Sequence, residues 1–71
     1  MTNLSNIKRG QTVEILAFQE TGAKSFSARL GFGVGETLTC VAKPGPIVLQ
    51  KGLLRFAIGK NLSKEILIRE L

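Results

Sequence analysis

Apolar and polar positions along this chain repeat mostly with the two-residue period of a strand. In residues 12–18, Val13, Ile15 and Ala17 fall on one face, because successive strand side chains point to opposite sides. The same alternation at 37–43 puts Leu38, Cys40 and Ala42 together. A short run at 47–50, a run aligning Leu54, Phe56 and Ile58, and a last run at 66–70 complete five predicted strands. Phe56 lies on the inward register of its strand. Phe18, opposite in register to Val13 and Ile15, is expected at the surface or at a strand end. Leu4 and Ile7 lead into a turn at Lys8-Arg9-Gly10. Lys43-Pro44-Gly45-Pro46 and Lys51-Gly52 mark two more turns, the first with proline at one corner and glycine at the next.

Two segments break the strand period. Ala23, Phe26 and Leu30 form one apolar stripe at helical spacing, which predicts a short helix over 24–30 that ends at Gly31. Ile58, Leu62 and Ile66 recur every four residues, which predicts a single helical turn within 59–65. The expected fold is mostly β: a small SH3-like β-barrel of about five strands with one or two short helices.

Length limits the alternatives. Seventy-one residues make one domain, spanning 1–71 with its core in about 4–70, and a chain of this size buries only about 60% of its unfolded surface. The longest apolar runs, such as 15–18 and 47–49, are far short of the roughly 20 residues of a spanning helix. The first ten residues are polar and lack the apolar stretch of a signal peptide. A single cysteine, Cys40, cannot form an internal disulfide and reads as a small buried hydrophobe. The expected location is the cytoplasm. The net charge of +5 is spread, with four basic and two acidic residues in 1–35 and six basic and three acidic in 36–71. That spread favours general solubility over a dedicated nucleic-acid stripe.

The chain contains no His and no Asp, and also no Tyr or Trp. The usual general acid–base near neutral pH is therefore missing, and no Ser–His or Cys–His nucleophile is available. The glutamates at 14, 20, 36, 65 and 70 form no close pair in sequence, and one cysteine is no metal site. No enzymatic activity, cofactor or bound metal is expected. Gly31-Phe32-Gly33-Val34-Gly35 precedes a predicted strand, whereas a dinucleotide fingerprint follows a strand and opens a helix. These glycines read as helix stop and turn.

The order of elements resembles the FeoA family, the ferrous iron transport protein A domains. Ser-Ala-Arg-Leu-Gly-Phe-Gly-Val-Gly-Glu-Thr-Leu at 27–38 resembles that family's centre. Arg-Phe-Ala-Ile-Gly-Lys-Asn-Leu-Ser-Lys-Glu-Ile-Leu-Ile at 55–68 resembles its closing strand, turn, one-turn helix and strand. The resemblance covers about 4–70, and the compact turn at 44–46 departs from the longer hairpin of many relatives. It implies an SH3-like barrel, a family association with transition metal ions and iron homeostasis, and a cytoplasmic accessory role. The implied partner is FeoB, the membrane ferrous iron transporter with a cytosolic GTPase domain. A related domain also ends some iron-dependent repressors; Met1 so near the domain favours a stand-alone protein.

Function is expected in the 24–35 insertion. Lys24, Arg29, Leu30, Phe32 and Val34 are the candidate partner-binding residues: apolar Leu30 or Phe32 as an anchor, with a basic rim. Both could instead plug the barrel mouth. A second reading places single-stranded nucleic acid on Lys51, Arg55, Lys60 and Lys64.

Overall fold

A computed structural model describes residues 2–43 and 45–71. The chain forms six antiparallel strands, β1 (Thr2–Asn3), β2 (Thr12–Phe18), β3 (Thr37–Ala42), β4 (Ile47–Lys51), β5 (Leu54–Ile58) and β6 (Ile66–Glu70). They make one sheet in the order β1-β6-β2-β3-β4-β5. Helix α1 (Thr21–Leu30) joins β2 to β3, and the one-turn α2 (Lys60–Ser63) joins β5 to β6. All five strands expected from the sequence, at 12–18, 37–43, 47–50, 54–58 and 66–70, are present as β2 to β6.

The sixth strand, β1, is only two residues long and too short to show a period. Thr2 and Asn3 pair with Ile68 and Leu67. Asn3 then accepts the Ser5 N–H at 3.0 Å and caps a 3-10 turn, Leu4–Asn6, that drives Leu4 and Ile7 into the core. The expected proline corner at Pro44 lies outside the described residues.

Two bulges change which residues face inward. The β2–β6 register shifts between Ile15 and Ala17, so Ile15 stands opposite Ile68 and Phe18 opposite Ile66. Both partners are buried, and Phe18 packs against the core while Ala17 turns to the other side with Leu67. Of the two places the sequence allowed for Phe18, the strand end is the one it takes, half-buried against the core and not exposed at the surface. The β3–β4 register shifts in the same way between Cys40 and Ala42. Cys40 is buried as expected, but Ala42 stands opposite half-buried Val48 and is exposed. An extra residue in one strand reverses the facing of everything after it. Leu54 keeps the register of Phe56 and Ile58, but it sits at the hairpin end beyond the core and is exposed.

The inward faces of β2 to β6 meet in one cluster with Leu4, Ile7, Ala23 and Phe32. Helix α1 begins three residues earlier than the stripe predicts. Its cap residue Glu20 makes no side-chain cap, and the Ala23 N–H is bonded at 3.2 Å by Glu65, from the turn before β6. The Gln19 N–H bonds the Glu65 carbonyl at 2.7 Å. A carboxylate at a helix N-terminus is favoured by the orphan N–H groups and the dipole there. At the other end Gly31 takes a left-handed φ of 83°, and its N–H closes onto Ser27 and Ala28 carbonyls.

This left-handed cap gives a direct test. A Cβ at residue 31 meets nothing within 4 Å, so only the backbone opposes it. Gly31→Ala is expected to cost about 1 kcal/mol. In urea the midpoint should fall with the slope unchanged; an unchanged midpoint means that the left-handed cap does not end the helix.

Candidate functional site

The α1–β3 loop, residues 31–36, is held at nearly every backbone position. The Phe32 N–H bonds Ser27 O at 3.1 Å, Gly35 N–H bonds Ile15 O at 2.8 Å, and Ile15 N–H bonds Glu36 O at 2.9 Å. Side chains close the rest. The Gly33 N–H donates to Glu36 Oε2 at 2.6 Å, Glu36 Oε1 is ion-paired with Lys51, and Lys51 Nζ donates to Gly31 O at 3.0 Å. The Lys51 ammonium and then the Gly33 N–H hold the Glu36 carboxyl below its usual range.

This frame sorts the five candidate residues. Phe32 is only 3% exposed. Its ring stacks on Phe56 with centroids 5.1 Å apart and 17° between planes, and lies 6.4 Å from Phe18. Phe32 is thus a core plug and not an exposed anchor, because the tight Gly31 cap turns it inward under the helix end. Leu30 is half-buried and packs against the same core. Lys24 and Arg29 are exposed on α1, and Val34 is 64% exposed at the loop's tip. The structure therefore brings Phe32 and Leu30 together beneath, and leaves Lys24, Arg29 and Val34 on the outside.

Sequence reasoning passed over Glu36 and Lys51 as a clamp. Fifteen residues separate them, and no local pattern marks the pair. It also passed over Leu53, which stands 106% exposed at the tip of the β4–β5 hairpin. Of the proposed nucleic-acid residues, Lys51 is spent on Glu36 and Gly31, and the Arg55 guanidinium bonds Gln50 Oε1 at 2.7 and 3.1 Å. Lys60 shares a small cavity of about 210 Å³ with Ser5, Lys43, Gly45 and Ile47. That volume is below the roughly 300 Å³ at which ligand pockets begin. Lys43 there donates to the Ser5 and Ile7 carbonyls at 2.9 and 2.7 Å.

Among the described residues no group of three or more Cys and Glu side chains comes within reach of one ion. Among the described residues no helix is long and apolar enough to cross a membrane.

The profile of the FeoA domain matches residues 2–70. No curated protein matches the chain. A crystal structure of an iron uptake regulatory protein, FeoA, is similar with a TM-score of 0.87 at 28% identity, covering 99% of this chain and 96% of that one. FeoA of Stenotrophomonas maltophilia, solved with zinc and described as a prokaryotic SH3 domain protein, matches with a TM-score of 0.85 at 23% identity, over 97% and 91%. A manganese-dependent transcriptional repressor matches with a TM-score of 0.86 at 16% identity, over 99% of this chain but 41% of the repressor. The fold is SH3-like and mostly β. The donor set here, with no His or Asp and a single buried Cys, does not fit the zinc that accompanies the Stenotrophomonas protein.

The Glu36 clamp predicts a pH dependence. Its folded carboxyl titrates below the unfolded value of about 4.3, so the stabilisation is full above that range and is lost as pH falls through the lower folded value. Glu36→Gln should be less stable than the parent at pH 7, with the gap closing as the pH falls through the carboxylate range. Urea unfolding from neutral to acid pH checks this; parallel curves rule out the clamp.

Proposed function

The chain belongs to the FeoA domain family, and from that premise we propose that it is a cytoplasmic accessory protein of a FeoB-type ferrous iron transporter. FeoA proteins are non-enzymatic, and the Stenotrophomonas relative is described as a protein possibly acting as a bacterial ferrous iron transport activating factor. In this chain the partner surface is the outer side of the α1–β3 segment: Lys24 and Arg29 with the exposed Val34. One observation carries the reading. The loop that presents Val34 is clamped from below by Phe32 and by Glu36 with Lys51, so its outer side chains are displayed without the entropy cost of ordering a mobile loop. An apolar contact with a cationic rim suits a partner patch bearing carboxylates.

Phe32 is the wrong residue for the test, because emptying its site costs about 3–5 kcal/mol in folding. Arg29→Glu combined with Val34→Asp changes only exposed positions, where substitutions usually stay within about 0.5 kcal/mol. The pair should leave the urea midpoint in place and weaken binding to the transporter's cytosolic domain by roughly tenfold, measured by calorimetry. Unchanged affinity in a folded variant overturns this surface. Binding of a labelled single strand at low salt, with none to the transporter domain, overturns the accessory role itself.

A further inference from the structure

We propose that the free edge of β5 is a docking strand, which takes an extended, acidic segment of a partner protein as a seventh strand of the sheet. This goes beyond the surface described above and does not depend on which protein supplies the segment. The sheet ends at β1 on one side and β5 on the other. Open edges are usually blunted by shortness, bulges, proline or charge. Strand β1 is two residues long, and bulges interrupt the β2–β6 and β3–β4 ladders. By contrast β4 and β5 pair in unbroken register over five residues, from Ile47 with Ile58 to Lys51 with Leu54. There is no proline in β5, and Arg55 is its one charge.

The hydrogen-bond pattern shows which groups are left over. The Cys40 N–H and C=O bond Gln11 O at 2.9 Å and Gly10 N at 2.7 Å, toward β2. Backbone groups alternate in direction along an antiparallel strand. Thr39 therefore faces β4 and meets Gln50, and Leu49 and Lys51 face β5 and meet Phe56 and Leu54. The two-residue turn agrees. Gly52 has φ 58° and Leu53 does not have positive φ, which suits a turn that closes directly on the Lys51–Leu54 pair. On β5, Leu54, Phe56 and Ile58 are thus turned to β4, while Arg55 and Ala57 turn N–H and C=O outward. Among the described residues β5 pairs with β4 alone, neither Arg55 nor Ala57 makes a backbone bond outside the strand ladders, and both residues are exposed.

Charge selects the occupant. The Arg55 guanidinium is held by the neutral Gln50 carbonyl and has no carboxylate partner among the described residues. Next along the chain, Lys60 and Lys64 are exposed cations. A second copy would bring another Arg55 and another net charge of +5 to the same edge. Like charges across a ladder destabilise it and opposite charges stabilise it. The edge therefore fits a segment that alternates apolar and acidic residues. Its backbone pairs with Arg55 and Ala57, its carboxylates share the outer face with the Arg55 side chain, and its apolar side lies toward exposed Leu54.

The probe is a blocked seven-residue peptide alternating valine and glutamate, with a valine–lysine peptide as control, added to the full chain. Amide hydrogen exchange should slow at Arg55 and Ala57 with the glutamate peptide. Ala57→Pro removes an outward N–H, leaves the β4 ladder intact, and should abolish peptide-dependent protection of Arg55. Arg55→Glu should reverse the preference between the two peptides by roughly threefold or more. If Ala57→Pro unfolds the chain, the reversal by Arg55→Glu decides alone. The proposal falls if the glutamate peptide protects neither amide, or if Arg55→Glu leaves the preference unchanged. It falls equally if protection grows with protein concentration in the absence of peptide, which assigns the edge to a second copy.

Discussion

The stack of Phe32 on Phe56 is the contact on which the working parts of this molecule depend. Phe32 belongs to the loop after α1 and Phe56 to the edge strand β5, so one pair of rings ties the insertion to the far side of the sheet. Phe26 on α1 meets Phe56 edge-on at 6.2 Å, and Phe18 at the end of β2 approaches Phe32 at 6.4 Å. These four rings are all the aromatic residues the chain has. Burying a ring stabilises by about 1.5–3 kcal/mol, and paired rings add about 0.5–1.5 kcal/mol beyond that area. For a domain this small, whose total stability is of order 5–10 kcal/mol, such a cluster is a large share. Phe32 fastens α1 at its C-terminal end, and Glu65 fastens it at the other.

Charge is disposed around this core with the same economy. Glu14 is paired with Arg69, Glu36 with Lys51, Glu65 with the start of α1, and Glu70 accepts the Gln11 amide. Four of the five carboxylates are thus used on structure. Lys24, Arg29 and Arg55 have no acidic partner among the described residues. Among the described residues the excess of positive charge is left where no acid meets it: on the outside of α1 and at Arg55, and equally at exposed Lys8, Arg9, Lys60 and Lys64.

What could be read in the sequence was what depends on local period. Five strands, the helix ending at Gly31 and the single turn after Gly59 come from short apolar runs, alternation and four-residue spacing, because neighbours in sequence decide them. The bulges at Leu16 and Val41 are invisible to that reasoning. They are set by pairing with β6 and β4, and they reverse the facing of Phe18 and Ala42. At the site, Lys24 and Arg29 are exposed on α1, off its apolar stripe, and Val34 is exposed at the loop's tip. Phe32 was ambiguous for a physical reason. A ring between two glycines carries no period, and only the position of Phe56, twenty-four residues away, decides where it goes. The Glu36–Lys51 clamp and the Glu65 cap share that character of distant partners meeting in space.

A chain of this length cannot both close a core and line a deep cleft, since nearly every large apolar side chain is needed inside. What it can offer a partner is backbone at a sheet edge and side chains on a fixed loop. Here the two are mechanically one body. Strand β5 carries Phe56, the loop carries Phe32, and Lys51 at the base of the β4–β5 hairpin bonds the Gly31 carbonyl and pairs with Glu36. A displacement of the edge strand is therefore felt at the loop through a ring stack and an ion pair. Packed aromatic rings resist gradual deformation. Rigidity of this kind holds the outer groups of the loop and of the edge strand at a fixed spacing.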